Sequence, residues 1–317
     1  MMQFRAKPLV KGMLSFVVPG LRSSHRAEVT GTSSSRYCYT VFLHHFSHLA
    51  RFNGGRLPRV IVELGPGHSL GTALAGVIAG AERCIGLDLE DHTRRADNLR
   101  VFDELVALFR ARTPVPREIP IATEPADRGF PEALEEGLER ALDERRLARI
   151  RRDIEAGTGD SVAFEAPWSD RATLEAESVD WLFSNAVMQH VDDVAAVYDH
   201  ARTWLVPGGF MTHEIDFSSH RLTRDWNGHW AIRPGAWTLV RGARPYLINR
   251  HARADQLEAM RRHGFEILDE LRVERADGLE RHHFVEPYAL MSETDARTHF
   301  AFVVCQKPDD AGKGHAG

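Results

Sequence analysis

The chain has 317 residues, of which 43% are hydrophobic and 27% are charged. Its 40 Lys and Arg residues against 45 Asp and Glu residues give a net charge of −5, which disfavours a protein that neutralises nucleic-acid phosphates, so no nucleic-acid partner is expected. Cys38, Cys84 and Cys305 are odd in number and too far apart for a metal-binding pair, a pattern typical of a reducing cytoplasm.

Residues 1–34 are predicted to form an N-terminal extension. Three basic residues precede a short apolar run at 13–21, an order found in signal peptides and in segments that associate loosely with membranes. Pro19 interrupts the run and no small-x-small cleavage site follows, which disfavours secretion. No stretch approaches the roughly 18 apolar residues that span a bilayer, so we expect no membrane span and a cytoplasmic location.

Strands and helices alternate in the first part of the chain. A helix is predicted from Ser33 to the glycine stop at 53–55, followed by a strand at 59–63, a glycine-rich turn at 65–71, a small apolar helix at 72–80 and a second strand at 84–88. Strand, glycine turn, helix and strand make a βαβ unit, which indicates a parallel sheet.

The alternation continues to the end of the chain. Residues 113–160 are predicted to be a helical insert, residues 205–209 a turn, residues 217–250 mainly loops, and the polar tail 307–317 disordered. Further helices are predicted at 95–111, 192–204 and 254–264, and further strands at 161–165, 180–184, 210–216, 265–273 and 298–306, the last two pairing with each other.

The turn after the first strand carries the strongest chemical signal. Gly65 and Gly67 let the backbone approach a ligand closely, and the following helix offers free amides and a positive dipole end. A nicotinamide-binding turn would have its third glycine one position earlier than Gly71. Glu63 would repel a diphosphate but would attract an ammonium group.

This turn resembles motif I of class I S-adenosylmethionine-dependent methyltransferases, with Ser69 where many members have another glycine and Pro66 stiffening the turn. The resemblance continues through the segments 180–192 and 205–209 and spans about 35–306 without the insert. It implies S-adenosyl-L-methionine as the cofactor. The cofactor-binding residues that it implies are Glu63, Gly65, Gly67, Asp88, Ala166, Pro167, Trp168 and Asn185.

The resemblance also implies an α/β fold. We expect a Rossmann-like, mostly parallel seven-stranded sheet with helices on both faces and an antiparallel last strand. The expected methyltransferase domain is 35–306, and it contains the insert 113–160 and an acceptor-loop segment 217–250.

Catalytic candidates follow the fourth and fifth strands, because ligands of open parallel sheets bind at the carboxyl ends of strands. We predict His220 as the general base, His190 as the second candidate, and Asp216 as a carboxylate that orients either imidazole. Strand alternation places Glu214 and Asp216 on one face and His213 on the other. A metal set of His213, Asp216 and His220 is disfavoured, since it requires a helix.

The segment after the fifth strand supplies the candidates for acceptor recognition. Indole and imidazole faces suit a sugar or aromatic ring, and an arginine pairs with a carboxylate or phosphate. The predicted substrate-binding residues are His213, Trp226, His229, Trp230 and Arg250.

Together these patterns predict a methyltransferase that moves a methyl group to an O or N atom of a small-molecule or glycan-like acceptor. A non-catalytic module that binds the same cofactor, a nicotinamide-dependent oxidoreductase and a methyltransferase of RNA or protein are the alternatives. The acceptor and the oligomeric state are left open.

Overall fold

One seven-stranded sheet organises the chain, which a computed structural model describes over residues 5–18, 31–91, 93, 95–168, 170–245 and 247–309. Parts of the predicted extension, 1–4 and 19–30, and of the predicted tail, 310–317, lie outside the described residues. No described helix is both long enough and apolar enough to cross a membrane.

The sheet has the strand order β3-β2-β1-β4-β5-β7-β6. Its strands are β1 (Val60–Leu64), β2 (Arg83–Leu87), β3 (Val162–Glu165), β4 (Val179–Asn185), β5 (Leu205–Asp216), β6 (Glu266–Glu274) and β7 (Thr298–Gln306). Strands β1 to β5 run parallel, and β7 pairs antiparallel with both β5 and β6. The predicted fold class, with its antiparallel last strand, is confirmed.

Helices cover both faces of this sheet. They are α1 (Ala6–Ser15), α2 (Ser35–Leu49), α3 (Gly71–Ala79), α4 (Arg95–Arg110), α5 (Glu132–Ala141), α6 (Glu144–Ala156), α7 (Val194–Trp204), α8 (Pro234–Arg241), α9 (Arg253–Arg262) and α10 (Glu293–Arg297). Helices α2 to α6 bury their apolar residues in one core, and α7 and α9 bury theirs in a second core on the opposite face.

Local sequence explains where these helices begin and end. The Ser34 hydroxyl accepts a hydrogen bond from the Tyr37 amide at the start of α2, and the Asp143 carboxylate accepts from two amides at the start of α6. Helix α6 ends at Gly157 in the left-handed conformation. Helix α3 packs so closely on α2 that a Cβ on Gly71 would lie 2.3 Å from Cys38 Sγ.

The 113–160 region shares the main core. Its two helices pack against α3 and α4 and add leucine and isoleucine side chains to the core formed by α2 to α4. The loop before α5 runs back across α2, where the Thr113 carbonyl accepts a hydrogen bond from the Tyr39 hydroxyl at 2.6 Å. This loop therefore reaches the sheet edge that carries the functional candidates.

Three local predictions differ from the structure. Residues 205–209 extend β5 instead of forming a separate turn. Helix α8 lies inside the segment predicted to be loops, and α1 lies in the extension, where no helix was predicted. The apolar residues of α1 face solvent, so their pattern does not report a buried face.

Candidate functional site

The turn between β1 and α3 forms a cradle at the carboxyl edge of the sheet. Gly65 and Gly67 have φ angles of +67° and +74°, which glycine adopts without strain. A Cβ on Gly67 would lie 3.1 Å from Thr32 Oγ1, and the Ser69 hydroxyl donates a hydrogen bond to the Thr32 carbonyl. The segment before α2 is thus held against the glycine turn, and Ser69 has a defined role there in place of a glycine.

Glu63, at the end of β1, lies behind this turn and is only 5% exposed. Burial raises the pKa of its carboxyl to about 8, although hydrogen bonds from the Thr72 hydroxyl and the Ala73 amide lower it and the Asp88 charge raises it further. Among the described residues, Glu63 Oε2 has no hydrogen-bond partner. A buried oxygen with unused acceptor capacity fits an ammonium group brought by a ligand.

Asp88 follows β2, next to the cradle. Its Oδ1 accepts a hydrogen bond from the Leu89 amide at 2.7 Å, and its side chain is half-buried. Ala166 and Pro167 lie beside it, because the Trp168 amide donates to the Asp88 carbonyl at 3.1 Å. The indole of Trp168, however, is buried against Trp204, so this side chain packs in the core and its predicted contact with the cofactor stays a prediction.

Asn185 ends β4 and connects two side chains of α2. Its Nδ2 donates to the Tyr37 hydroxyl at 3.1 Å, and its Oδ1 lies 3.3 Å from His45 Nε2. The charges of Glu214 and Glu63 are among the causes that raise the pKa of Tyr37, after the leading effect of burial. Tyr37 and Asn185 therefore lie on the α2 side of the cradle.

The predicted catalytic residues meet at the tips of β4 and β5. Nε2 of His220 lies 3.1 Å from Asp216 Oδ2, and the rings of His220 and His190 are 4.9 Å apart in an edge-to-face arrangement. Burial would raise the pKa of Asp216, but its hydrogen bond and charge interaction with His220, together with hydrogen bonds from Ser218, lower it. His220 has a φ of +45°, a conformation uncommon for non-glycine residues that recurs at functional sites.

A cleft of about 490 Å³ opens beside His220, and we call it the arginine cleft. It is lined by His220, Trp226 and four arginines, namely Arg5, Arg221, Arg224 and Arg275. Arg275 is paired with Asp277, whereas the other three arginines have no carboxylate partner within the described part of the chain. Asp216, Asp225 and Asp277 also line the cleft, so its four arginines outnumber its carboxylates by one; the cleft offers positive charge at the arginines and one indole edge next to an imidazole.

Four of the five predicted substrate-binding residues are buried in the structure, and their part in acceptor recognition stays a prediction. His213 is fully buried between Ser184 and Tyr198, on the face opposite Asp216, so the metal set that includes it is not assembled. Trp230 is a core residue whose indole donates to the Arg250 carbonyl at 3.1 Å. Trp226, by contrast, is half-buried and lines the arginine cleft.

His229 and Arg250 are also buried, although both lie near the site. Burial, with the charges of Arg250 and His220, holds the pKa of His229 well below its usual value. The Arg250 guanidinium lies over the Tyr288 ring at 4.4 Å and donates to the Ile232 carbonyl at 2.7 Å. Both side chains are therefore buried beside the residues that line the site.

A second polar cluster, unrecognised from the sequence, lies beneath the tip of β5. Glu214 Oε2 accepts hydrogen bonds from the Thr123 hydroxyl and amide and lies 3.4 Å from His44 Nε2. His45 Nδ1 lies 2.9 Å from Thr212 Oγ1. The sequence does contain a signal for this cluster, namely the histidines at positions 44, 45 and 48 of α2. In the structure all three contact the Phe302 ring.

A methyltransferase is among the known proteins that part of the chain resembles. No family model matches the chain. It is 42% identical over 67 residues to trans-aconitate 2-methyltransferase from Azoarcus sp. (strain BH72), a match that covers 20% of this chain and 26% of that protein. The chain thus spans about a quarter of that relative's length.

Solved structures resemble the chain over most of its length at low identity. A methyltransferase dependent on S-adenosylmethionine from Mesorhizobium loti is 18% identical over 81% of this chain and 94% of its own, with a TM-score of 0.40. Geranyl diphosphate C-methyltransferase from Streptomyces coelicolor A3(2) is 13% identical over 82% and 79%, also at 0.40. The [4+2]-cyclase SpnF is 14% identical over 83% and 80%, at 0.41.

The fold itself rests on the topology of the sheet. The seven-stranded, mostly parallel sheet, the antiparallel β7 and the glycine turn that follows β1 are those expected from the motif resemblance. The chain therefore has the fold of the class I S-adenosylmethionine-dependent methyltransferases.

Proposed function

We propose that this protein is an S-adenosylmethionine-dependent methyltransferase acting on an O or N atom of an anionic small-molecule or glycan-like acceptor. The observation that carries the proposal is the His220–Asp216 pair, which lies at the same sheet edge as the cradle after β1. Fold alone does not establish an activity, so the proposal depends on the chemistry of these side chains.

The cradle residues suit the cofactor. The unpartnered oxygen of Glu63 would accept from the ammonium group, and Asp88 would accept from the ribose hydroxyls. Tyr37 and Asn185 would border the same group from the α2 side. When bound, the cofactor supplies an electrophilic methyl group. The protein must then align the acceptor and exclude water.

His220 and Asp216 would prepare the acceptor. In the neutral tautomer whose Nε2–H donates to Asp216, Nδ1 of His220 carries no proton, and this atom would take the proton from an acceptor hydroxyl or amine. The carboxylate of Asp216 would stabilise the imidazolium that forms. His190, in edge contact with the His220 ring, would limit its rotation.

The arginine cleft indicates the acceptor's charge. Arg221 and Arg224 are exposed in the cleft beside His220, where they would bind a carboxylate or phosphate while the proton-accepting imidazole faces the reacting atom. Trp226 offers an apolar edge for a sugar ring. These features favour an acidic metabolite or glycan precursor over a neutral acceptor.

Cofactor binding is tested first. Thermal-shift measurements with S-adenosylhomocysteine and with NAD should give stabilisation by the former only. Stabilisation by NAD alone would favour an oxidoreductase and overturn the proposal.

Acceptor chemistry is tested with labelled S-adenosylmethionine and cell extract fractionated by anion exchange. Label should enter the retained, anionic fraction. The double variant Arg221→Ala/Arg224→Ala should raise KM for the labelled acceptor about tenfold or more at nearly unchanged kcat, in keeping with the loss of charged hydrogen bonds. Arg262→Ala, an exposed arginine on α9, is the matched control. Binding of the cofactor without product in any fraction would indicate the non-catalytic module.

A further inference from the structure

The first helix exposes an apolar face that the rest of the structure does not explain. The described residues expose eight large apolar side chains; six lie between residues 10 and 18, at 42% to 74% exposure, and a seventh is Leu239 on the neighbouring helix α8. Val10, Met13 and Leu14 have the i, i+3, i+4 spacing of one face of α1, and Val17, in the turn that follows the helix, continues this spacing at i+7. An amphipathic helix on a protein surface normally buries its apolar face, whereas this one exposes it to solvent.

The helix is nevertheless fixed firmly to the protein. A Cβ on Gly12 would lie 2.2 Å from the Leu239 carbonyl oxygen, so α1 and α8 meet backbone to backbone. The Ser15 hydroxyl accepts from the Ala243 amide at 2.8 Å. The Arg5 amide donates to the Leu222 carbonyl at 3.2 Å, which joins the start of α1 to the rim of the arginine cleft. These contacts therefore fix the orientation of α1, with its apolar face toward solvent.

The charge of this segment points to the occupant. Residues 5–18 contain Arg5, Lys7 and Lys11 and no acidic residue. Lys11 lies near the further positive charges of Arg244 and Lys7, which, after burial, contribute to lowering its pKa. In a symmetric dimer formed through this face, like charges would oppose one another, whereas an anionic surface would neutralise all of them.

We propose that the α1 face, defined as Val10, Met13, Leu14 and Val17 with their flanking lysines, docks this protein onto an anionic lipid surface. The apolar side chains would enter the boundary between headgroups and acyl chains, and the lysines would extend along it to the lipid phosphates. Because Arg5 belongs to both the α1 segment and the arginine cleft, docking would place that cleft beside the membrane.

Vesicle co-sedimentation of the full-length protein tests this. Vesicles of phosphatidylcholine with phosphatidylglycerol should bind the protein, and added salt should weaken binding. The variant Val10→Ser/Leu14→Ser/Val17→Ser should bind about tenfold or more weakly, since it removes three apolar side chains from the lipid boundary. Leu290→Ser is the matched control: Leu290 is 76% exposed, lies far along the chain and should be replaceable without effect on binding.

The test separates the possible occupants. Lys7→Gln/Lys11→Gln should reduce binding to the anionic vesicles and its salt dependence. Because these positions are exposed or half-buried outside the proposed cofactor site, the variants should keep wild-type melting temperature and affinity for S-adenosylhomocysteine. Failure of the wild type to bind, or equal binding of the triple-serine variant, would overturn the proposal. So would a wild-type dimer in analytical ultracentrifugation that the triple-serine variant abolishes, because a second copy would then cover the face.

Discussion

Thr123 Oγ1 donates a hydrogen bond to Glu214 Oε2 at 2.9 Å, and the Thr123 amide donates to the same oxygen at 3.2 Å. Both residues are buried, and they are 91 positions apart in the chain. Burial would raise the pKa of Glu214, but its interactions with His44 and then Thr123 lower it. The loop before α5 is in this way attached to the tip of β5, two residues before Asp216.

Thr123→Val should therefore destabilise the protein by about 1–3 kcal/mol, because a buried carboxylate loses a hydroxyl donor that water cannot replace. Urea denaturation measures the change. Thr238→Val is the control, since the Thr238 hydroxyl is exposed on α8 and its loss should cost no more than about 0.5 kcal/mol. Equal effects of the two substitutions would mean that the Thr123–Glu214 contact contributes little.

A second prediction concerns the packing of α3 on α2. Gly71→Ala would place a methyl group 2.3 Å from Cys38 Sγ and 3.0 Å from Val101 Cγ1, so one helix must shift. We expect a loss of roughly 1–3 kcal/mol in the free energy of unfolding. Gly137→Ala, on α5, meets nothing within 4 Å and should instead stabilise by about 0.5–1 kcal/mol. Urea denaturation should give changes of opposite sign in the free energy of unfolding for the two substitutions, and changes of the same sign would contradict this prediction.

Local patterns were enough to predict the sheet. The apolar run of β1 with its glycine turn, and the acid after β2, are features of contiguous residues. Alternation along β5 also predicts from the sequence that Glu214 and Asp216 lie opposite His213. Alternation does not predict which face of the sheet α7 covers, because that depends on how the chain between β4 and β5 packs. The face that α7 covers is the one that buries His213.

The long-range contacts could not be predicted. Thr123 meets Glu214 only because the loop of the insert folds back over α2, and no sequence period reports such a crossing. Trp230 and Arg250 lie in an irregular segment, where an aromatic or charged residue has the same pattern whether it lines a cleft or supports one. The helix α1 was missed for the opposite reason, because its apolar face does not contact the core.

The pKa of Glu63 predicts how affinity for the cofactor depends on pH. Burial raises this pKa to about 8, so the carboxyl is protonated in the free protein at neutral pH. A ligand ammonium group binds the ionised form, so affinity for S-adenosylhomocysteine should rise about tenfold from pH 6 to pH 7. Isothermal titration calorimetry measures it. Glu63→Gln should be weaker at pH 8 and nearly flat across this range, whereas Glu82→Gln, at the opposite sheet edge, should follow the wild type.

The same group makes a prediction without any ligand. Since the folded-state pKa lies above the unfolded value near 4.5, the protonated form favours folding, and this contribution is lost as pH rises through about 8. Relative to the wild type, Glu63→Gln should therefore gain stability by about 1.4 kcal/mol per pH unit between pH 5 and 8. A constant difference across that range would show that Glu63 is not a buried, proton-binding carboxyl.

The role of His220 is separable from binding. His220→Ala removes the imidazole that contacts Asp216 and His190 but leaves the cradle after β1 intact. Turnover should fall at least about tenfold, while affinity for S-adenosylhomocysteine should stay within a factor of about three, as is typical for loss of an acid–base group. The control is His282→Ala, because His282 is exposed between β6 and β7, where it contacts its chain neighbours Glu280 and His283. Asp216→Asn should lower turnover less than His220→Ala, since it removes the charge that stabilises the imidazolium but keeps the base. If His220→Ala leaves turnover unchanged while Asp216→Asn abolishes it, the proton must leave through Asp216 itself, and turnover would not require His220.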